Sequence, residues 1–276
     1  MDRVTLRRAS CFLAASFLGL TTPALAQDSQ ELSGMWSDPA GLEDVFCLFW
    51  CTDTGLERLA ELLDDPANDA RPLMELYADA GHFQLDRYLR PRLTPAAVAT
   101  LGRDPADDPG FLECVPWAFA REIFAPHQLQ IEQHADRVEL LYGEWTIRRT
   151  VRLDGRGPTA DVASSAMGHS VGRYESGELV IETTRINANL APWGVGFPAG
   201  GEIFDGRHGE QLRSVERYSR SADGQRLLLS VTLEDPWALR EPVTLKKVWH
   251  WAPDQQIAPY EDCKRPTEFS RGVATQ

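Results

Sequence analysis

Hydrophobic residues in the first part of the chain recur at the spacing of α-helices. Leucines follow Thr54 at helical intervals until Pro66 ends the pattern. A second apolar stripe predicts a helix over 72–88, and Thr94, followed directly by proline, is typical of a helix cap. We therefore expect a helical, loop-rich segment over 27–110.

The hydrophobic spacing changes to a period of two after Cys114. Leu129 and Ile131, for example, alternate with polar residues. Turn signals such as Asp154-Gly155 separate about eight strand-like segments, with no helical segment between them. Because the edges of an antiparallel meander need pairing or cover, we expect 111–276 to form a barrel or a strongly curled sheet. The predicted fold class is mainly β, lipocalin-like in outline, and a barrel of about eight strands can hold one small ligand.

The first 26 residues have the parts of a secretory signal peptide. Three arginines precede an apolar run over 11–20, and Ala24 and Ala26 supply the small residues that favour cleavage before Gln27. The apolar run is shorter than a membrane span, so no membrane insertion is expected. We predict an exported protein with 1–26 removed, periplasmic if the source is Gram-negative.

Export makes disulfides the expected state of the cysteines. Four cysteines follow the signal peptide, which allows three pairings; they are Cys47, Cys51, Cys114 and Cys263. We predict the pairs Cys47–Cys51 and Cys114–Cys263, the second closing a loop of about 150 residues around the β-rich region. A zinc site at Cys47 and Cys51 is the alternative, but it lacks a nearby second pair of ligands.

The charge balance argues against several classes of partner. The chain has 28 Lys+Arg against 41 Asp+Glu and a formal net charge of -13, whereas nucleic-acid binding depends on an excess of basic residues. Lysines occur only at 246, 247 and 264, so no polybasic segment is available for an anionic membrane. No phosphate-binding or dinucleotide-binding motif occurs, and the histidines lack metal-ligand spacing. Neither a cofactor nor a metal is expected.

Residues 168–172 read Gly-His-Ser-Val-Gly, which matches the G-x-S-x-G motif of α/β-hydrolases. In those enzymes the motif joins a strand to a helix, but here a predicted strand over 178–184 follows. The preferred interpretation is a glycine-flanked tight crossing into a hairpin. A serine hydrolase that uses Ser170, with downstream Asp and His residues completing a triad, remains a remote alternative.

The same segment resembles part of a large family of exported bacterial proteins without assigned activity. The similar residues are Gly-His-Ser-Val-Gly-Arg-Tyr-Glu at 168–175 and Leu-Val-Ile-Glu-Thr-Thr at 179–184. In the family, His or Asp occupies the second of these positions and Trp or Tyr the seventh. Further matches lie at 114–116, 152–156, 215–218, 232–236 and Cys263. The resemblance implies export but no particular function.

Charged residues within the predicted strands are the candidates for chemistry, because an unpaired buried charge is costly. Glu216 and Arg217 are adjacent in one strand, and Asp235 ends the next. Together with His169, whose imidazole titrates near neutral pH, they form a candidate acid–base set. The alternative is structural, with ion pairs between strands and a side-chain-capped turn at Asp235.

Aromatic side chains supply the candidate binding surface, namely Tyr174, Trp193, Phe197, Trp237 and Trp249. Trp193 and Phe197 fall in a long glycine-rich loop, a type of segment that often forms a lid or a binding loop. We expect an apolar, aromatic-lined cavity that binds a small hydrophobic or aromatic molecule. The alternative is a cofactor-free enzyme, of the lyase, isomerase or hydratase type, that acts on such a molecule in the same cavity.

Overall fold

The computed structural model describes most of the chain beyond the predicted signal peptide. The described residues are 31–37, 46–47, 51–81, 88–99, 114–157, 162–187, 192–194 and 205–258, with the backbone alone at 192–194 and 205–207. Three predictions fall outside them, for the signal peptide, for Phe197 and for Cys263.

A closed barrel dominates the structure and confirms the predicted mainly β fold class. The strands are β1 Gly34–Ser37, β2 Leu129–Gln133, β3 Arg137–Tyr142, β4 Arg148–Arg152, β5 His169–Glu175, β6 Glu178–Thr184, β7 Pro192–Gly194, β8 Asp205–Arg207, β9 Arg213–Arg220, β10 Arg226–Glu234 and β11 Val243–Trp251. Nine of them close the barrel in the order β1-β11-β10-β9-β6-β5-β4-β3-β2, while β7 and β8 pair separately. Alternate residues of each barrel strand therefore face the lumen.

Helices are short and few in the described part of the chain. They are α1 Asp53–Asp64, α2 Leu73–Ala80, α3 Pro95–Val98 and α4 Phe119–Glu122, with 3-10 turns at Pro66–Asn68, Arg90–Arg92 and Glu144–Thr146. None of the described helices is long and apolar enough to cross a membrane. Helix α2 is shorter than predicted, because Gly81 adopts a left-handed conformation (φ 101°) that ends it.

One neighbouring pair of strands departs from the predicted antiparallel pattern. Strands β4 and β5 run parallel and share two register pairs, Val151 with Ser170 and Arg152 with Val171. The register places the start of β5 beside the end of β4. The barrel is therefore mixed rather than a simple meander.

Strand β1 completes the barrel, although the sequence placed it in the helical segment. It pairs with both β2 and β11. Gly34 is required there, since a Cβ atom would lie 2.2 Å from the Trp251 ring. The preceding residues close one end of the barrel, which we call the tail end: the Leu32 amide donates to Gln133 Oε1 at 2.6 Å, and Gln133 Nε2 donates to Tyr174 Oη at 2.7 Å.

Helix α4 and the residues after it, up to position 128, cover the opposite end, which we call the helix end. The Phe119 amide donates to the Ala166 carbonyl at 2.9 Å. Lys247 Nζ donates to the carbonyl of Ala125, and Trp249 Nε1 donates to that of His127 at 3.0 Å. Two of these contacts attach the covering segment to the lumen-facing side chains of Lys247 and Trp249.

Helices α1 and α2 pack outside the barrel, and the first predicted disulfide lies just before α1. Cys47 and Cys51 are bonded, which confirms that pair. The backbone of Cys51 pairs with that of Lys246 of β11 in an isolated β-bridge. The disulfide region therefore attaches the helices to the barrel wall. Cys114 is also disulfide-bonded, and Cys263, its predicted partner, lies outside the described residues.

We predict that Cys114 pairs with Cys263 and that the mature chain has no free thiol. Peptide mapping under non-reducing conditions should recover one peptide pair joined by these two cysteines. Replacing both by Ser should lower the free energy of unfolding by about 3–5 kcal/mol, because the closed loop is long. Free thiols in the denatured, unreduced protein would contradict the assignment.

Candidate functional site

A charged pair lies inside the barrel, where apolar side chains are the rule. Arg149 of β4 and Glu216 of β9 are 2% and 0% exposed. The guanidinium binds the carboxylate through two hydrogen bonds, of 2.8 Å to Oε2 and 2.7 Å to Oε1. Both residues occupy lumen-facing positions of their strands, which places the two charges opposite each other.

Every N–H group of the Arg149 guanidinium has an acceptor. Besides the two bonds to Glu216, Nε donates to Ser170 Oγ at 2.8 Å, and the terminal nitrogens donate to Tyr142 Oη at 3.2 Å and to Thr183 Oγ1. These acceptors lie on β5, β3 and β6. One side chain therefore ties four neighbouring strands to β4, counting β9.

The carboxylate of Glu216 is equally well satisfied. It accepts hydrogen bonds from Ser214 Oγ and Tyr218 Oη, both at 3.1 Å. Burial is the largest influence and would lower the pKa of Arg149, but the charge and hydrogen bonds of Glu216, together with Tyr142 and Tyr218, outweigh it, and the net shift is upward. Burial raises the pKa of Tyr142 and, more strongly, that of Tyr218. The network thus holds an ion pair and two neutral phenols, and the Phe119 ring lies 4.9 Å from the guanidinium.

The Gly-His-Ser-Val-Gly segment has a structural explanation in this network. Gly168 has a left-handed φ of 68°, Ser170 accepts from Arg149, and a Cβ at Gly172 would lie 2.7 Å from Val151. His169 faces outward, with Nε2 2.9 Å from the Ala163 carbonyl. Adjacent residues of a strand point to opposite faces, so His169 cannot activate Ser170.

Arg217 lies on the outer wall of the barrel, where it forms ion pairs. Its guanidinium lies 3.1 Å from Glu178 and 3.4 Å from Glu175. These pairs belong to a row of half-exposed charges across β5, β6, β9 and β10, comprising Arg173, Glu175, Glu178, Glu182, Arg213, Arg217 and Glu234. Screening by water leaves such pairs little net stabilisation.

Asp235 caps the turn that follows β10. Its carboxylate accepts hydrogen bonds from the amides of Gly209, Trp237 and Ala238, at 2.7, 3.0 and 3.3 Å. The four candidate catalytic residues are therefore not brought together: Glu216 is in the lumen, His169 and Arg217 are outside it, and Asp235 is in a turn.

The aromatic candidates are also dispersed. Tyr174 is at the tail end, whereas Trp249 is buried and bonded to the helix end. Trp237 is 39% exposed on the turn after β10. The backbone of Trp193 lies in β7, which packs against α4, and Phe197 lies outside the described residues.

Sequence reasoning named only Trp249 of an aromatic group at the helix end. We call it the tryptophan cluster, and it consists of Trp117, His127, Trp145 and Trp249. The Trp117 ring lies 6.3 Å from the Trp145 ring and 6.4 Å from the His127 ring. The Arg121 guanidinium stacks 3.9 Å from the Trp117 ring centroid, and Trp249 is joined through the His127 carbonyl. The cluster combines segments that are distant in sequence, so no local motif reveals it.

Backbone strain marks the same place. Trp145 and Thr146 are consecutive non-glycine residues with φ of 55° and 53°. A left-handed β-branched residue such as Thr146 is costly, and strain of this kind is retained where a specific geometry is needed. Here the two residues turn the Trp145 ring toward Trp117.

Buried charges lie beside the cluster. Lys247 is 1% exposed, and its ammonium is 4.4 Å from the Trp249 ring. Glu122, at the end of α4, is 2% exposed. Within the described ranges, no group of three or more His, Cys, Asp or Glu residues is arranged to hold a metal.

His208, which follows β8, is a further buried titratable group near this end. It is 2% exposed, and Nδ1 lies 3.1 Å from the Gly209 carbonyl. That contact places the neutral ring's proton on Nδ1, while Nε2 has no hydrogen-bond partner among the described residues. Burial lowers the pKa of His208, although the nearby charge of Asp235 opposes the shift.

We predict that Arg149→Met lowers the free energy of unfolding by about 3–5 kcal/mol, because it leaves the Glu216 charge buried alone. The double variant Arg149→Met/Glu216→Leu should lose much less than the sum of its single changes. Urea unfolding measures both. Arg173→Met, on the outer row, is the matched control and should cost less than about 1 kcal/mol. Equal losses for the two arginine variants would contradict a dominant buried pair.

We predict that His208 makes the fold less stable in mild acid. Its folded pKa lies below the ordinary value of 6.5, so the unfolded chain binds the proton more readily as the pH falls through 6.5. The melting temperature should therefore fall from about pH 7.5 to pH 5.5 in the native protein and change less in His208→Gln. His169→Gln, on the outer wall, should keep the native profile; the same slope in all three proteins would remove His208 as the cause.

Comparison with known proteins adds no identity to this geometry. No family model matches the chain, and no curated protein matches it. The resemblance of 168–184 to a family of exported bacterial proteins therefore stays a prediction.

Proposed function

We propose that the protein binds a small hydrophobic or aromatic molecule at the helix end of the barrel, against the tryptophan cluster. The observation that carries the proposal is the indole nitrogen of Trp117. This Nε1 atom is shielded from solvent, and within the described part of the chain it has no hydrogen-bond acceptor. A buried donor without an acceptor costs about 1–3 kcal/mol, which a ligand oxygen can offset.

The surroundings of this nitrogen suit a flat, mostly apolar ligand. Trp145 meets the Trp117 ring edge-on at 69°, so the two indoles offer aromatic surface in two orientations, while the Arg121 guanidinium stacks on the Trp117 ring. The Trp145–Thr146 strain supports a requirement for that orientation. Aromatic surface with a few fixed polar groups is the usual lining of small-molecule sites.

The deeper lumen offers less support for a ligand. Large side chains there are almost fully buried, among them Trp36 and Tyr218. Phe119 also lies over the Arg149–Glu216 pair. The proposed site is therefore at the end of the barrel rather than at its centre.

The acid–base alternative has weaker support. Its candidate residues lie on separate surfaces, and the most buried of them, Glu216, is fully bonded. A general acid or base needs a proton that it can exchange with a substrate. Binding without catalysis is the function that the geometry favours.

The test compares 1-naphthol, which carries an acceptor oxygen, with naphthalene, which does not. Native protein should bind 1-naphthol more tightly, as measured by calorimetry. Trp117→Phe keeps a ring but removes the N–H group, so it should weaken 1-naphthol binding by about five- to tenfold and leave naphthalene binding nearly unchanged. Trp251→Phe, a matched change at the tail end, should alter neither; equal effects of the two variants would refute the site.

A further inference from the structure

A pocket of about 290 Å³ lies on the outer wall, at the parallel junction of β4 and β5. It is separate from the tryptophan cluster, because its strand residues point away from the lumen. Its lining includes Gly157, His169, Val171, Arg173, Glu182 and Thr184. The volume is just below the roughly 300–1,000 Å³ range of ligand sites, so it suits a molecule the size of a single sugar ring.

The chain segments on both sides of the pocket are held in place by hydrogen bonds. On one side, His169 Nε2 lies 2.9 Å from the Ala163 carbonyl, and Ser165 pairs with Ile186 in an isolated β-bridge. On the other side, the Arg156 amide donates to Asp154 Oδ1 at 3.0 Å, and Arg152 donates to the Arg156 carbonyl at 2.8 Å. The cavity is therefore preformed, as ligand sites usually are.

The polar groups of the pocket are balanced in charge and rich in acceptors. Glu182 accepts one bond from Arg173 and one from Arg213, both at 3.0 Å, through different oxygens. Each carboxylate oxygen has two lone pairs, so acceptor capacity remains. The bond from Nε2 to Ala163 leaves Nδ1 of neutral His169 as another acceptor, and Thr184 adds a hydroxyl that both donates and accepts.

We propose that this pocket binds a small neutral polyhydroxylated molecule, of the size of a monosaccharide or a cyclitol. Adjacent hydroxyls of such a ligand donate to Glu182 and His169 and accept from Arg173, while its C–H face lies on Val171. A purely apolar ligand leaves the polar wall unsatisfied. An anionic ligand is repelled by the Glu182 carboxylate. The hydrogen bond from Arg213 keeps that carboxylate ionised by lowering its pKa.

The test is a titration followed by amide NMR shifts. The probes are myo-inositol, with a hydroxyl on every ring carbon, and cyclohexanol, the same six-carbon ring with a single hydroxyl. Each is raised to about 0.1 M, which reaches millimolar dissociation constants. Myo-inositol should give saturable shifts at Gly157, His169 and Thr184, whereas cyclohexanol should not.

Variants locate the binding. Thr184→Val removes one hydroxyl at constant shape and should weaken myo-inositol binding by about five- to tenfold. The matched control is Thr150→Val, on the outer face of β4 and outside the pocket lining, which should leave binding unchanged. Absence of saturable shifts, equal shifts from cyclohexanol, or equal effects of the two variants would each overturn the proposal. Because 1-naphthol tests the tryptophan cluster separately, the two sites can fail independently.

Discussion

The ion pair of Arg149 and Glu216 constrains the barrel more than any other described contact. Charges this deeply buried are tolerated only when all their hydrogen-bonding groups are satisfied. The partners that satisfy them come from β3, β5, β6 and β9. A slip of one residue in β4 or β9 would turn one charge outward and leave the other alone in the lumen. The pair therefore specifies register as well as contributing to the core.

The alternation of apolar and polar residues predicted most of the barrel strands. The features that it did not predict have local causes. Strand β1 has only four residues, too few to show a period of two. The parallel pairing of β4 and β5 was not predicted, because the sequence between the two strands carries no hydrophobic pattern. Arg149 was visible in principle, since it occupies the same strand face as Ile147 and Val151. A charge in phase with apolar residues predicts a buried partner.

The candidate site was harder to predict than the fold. The period of two already separates His169 from Ser170 and Glu216 from Arg217, so grouping neighbours as one catalytic set ignored strand geometry. The tryptophan cluster lay beyond such reasoning, because Trp117 meets Trp145 only after the barrel has closed. Closure brings together residues whose sequence neighbours give no signal. The Gly-His-Ser-Val-Gly segment has structural roles instead: Gly168 has a left-handed φ, Ser170 accepts from Arg149, and Gly172 lies close to Val151.

The number of paired residues between neighbouring strands also determines where the barrel wall opens most easily. Strands β4 and β5 share two register pairs, as do β1 and β11, whereas β10 and β11 share eight. Local opening starts where the fewest backbone hydrogen bonds must break. The barrel therefore has two weakly paired lines, one along β1 and β11 and one along β4 and β5. The hydrogen bond from Arg149 to Ser170 joins β4 to β5 from inside the lumen, so the buried guanidinium reinforces the second of these lines.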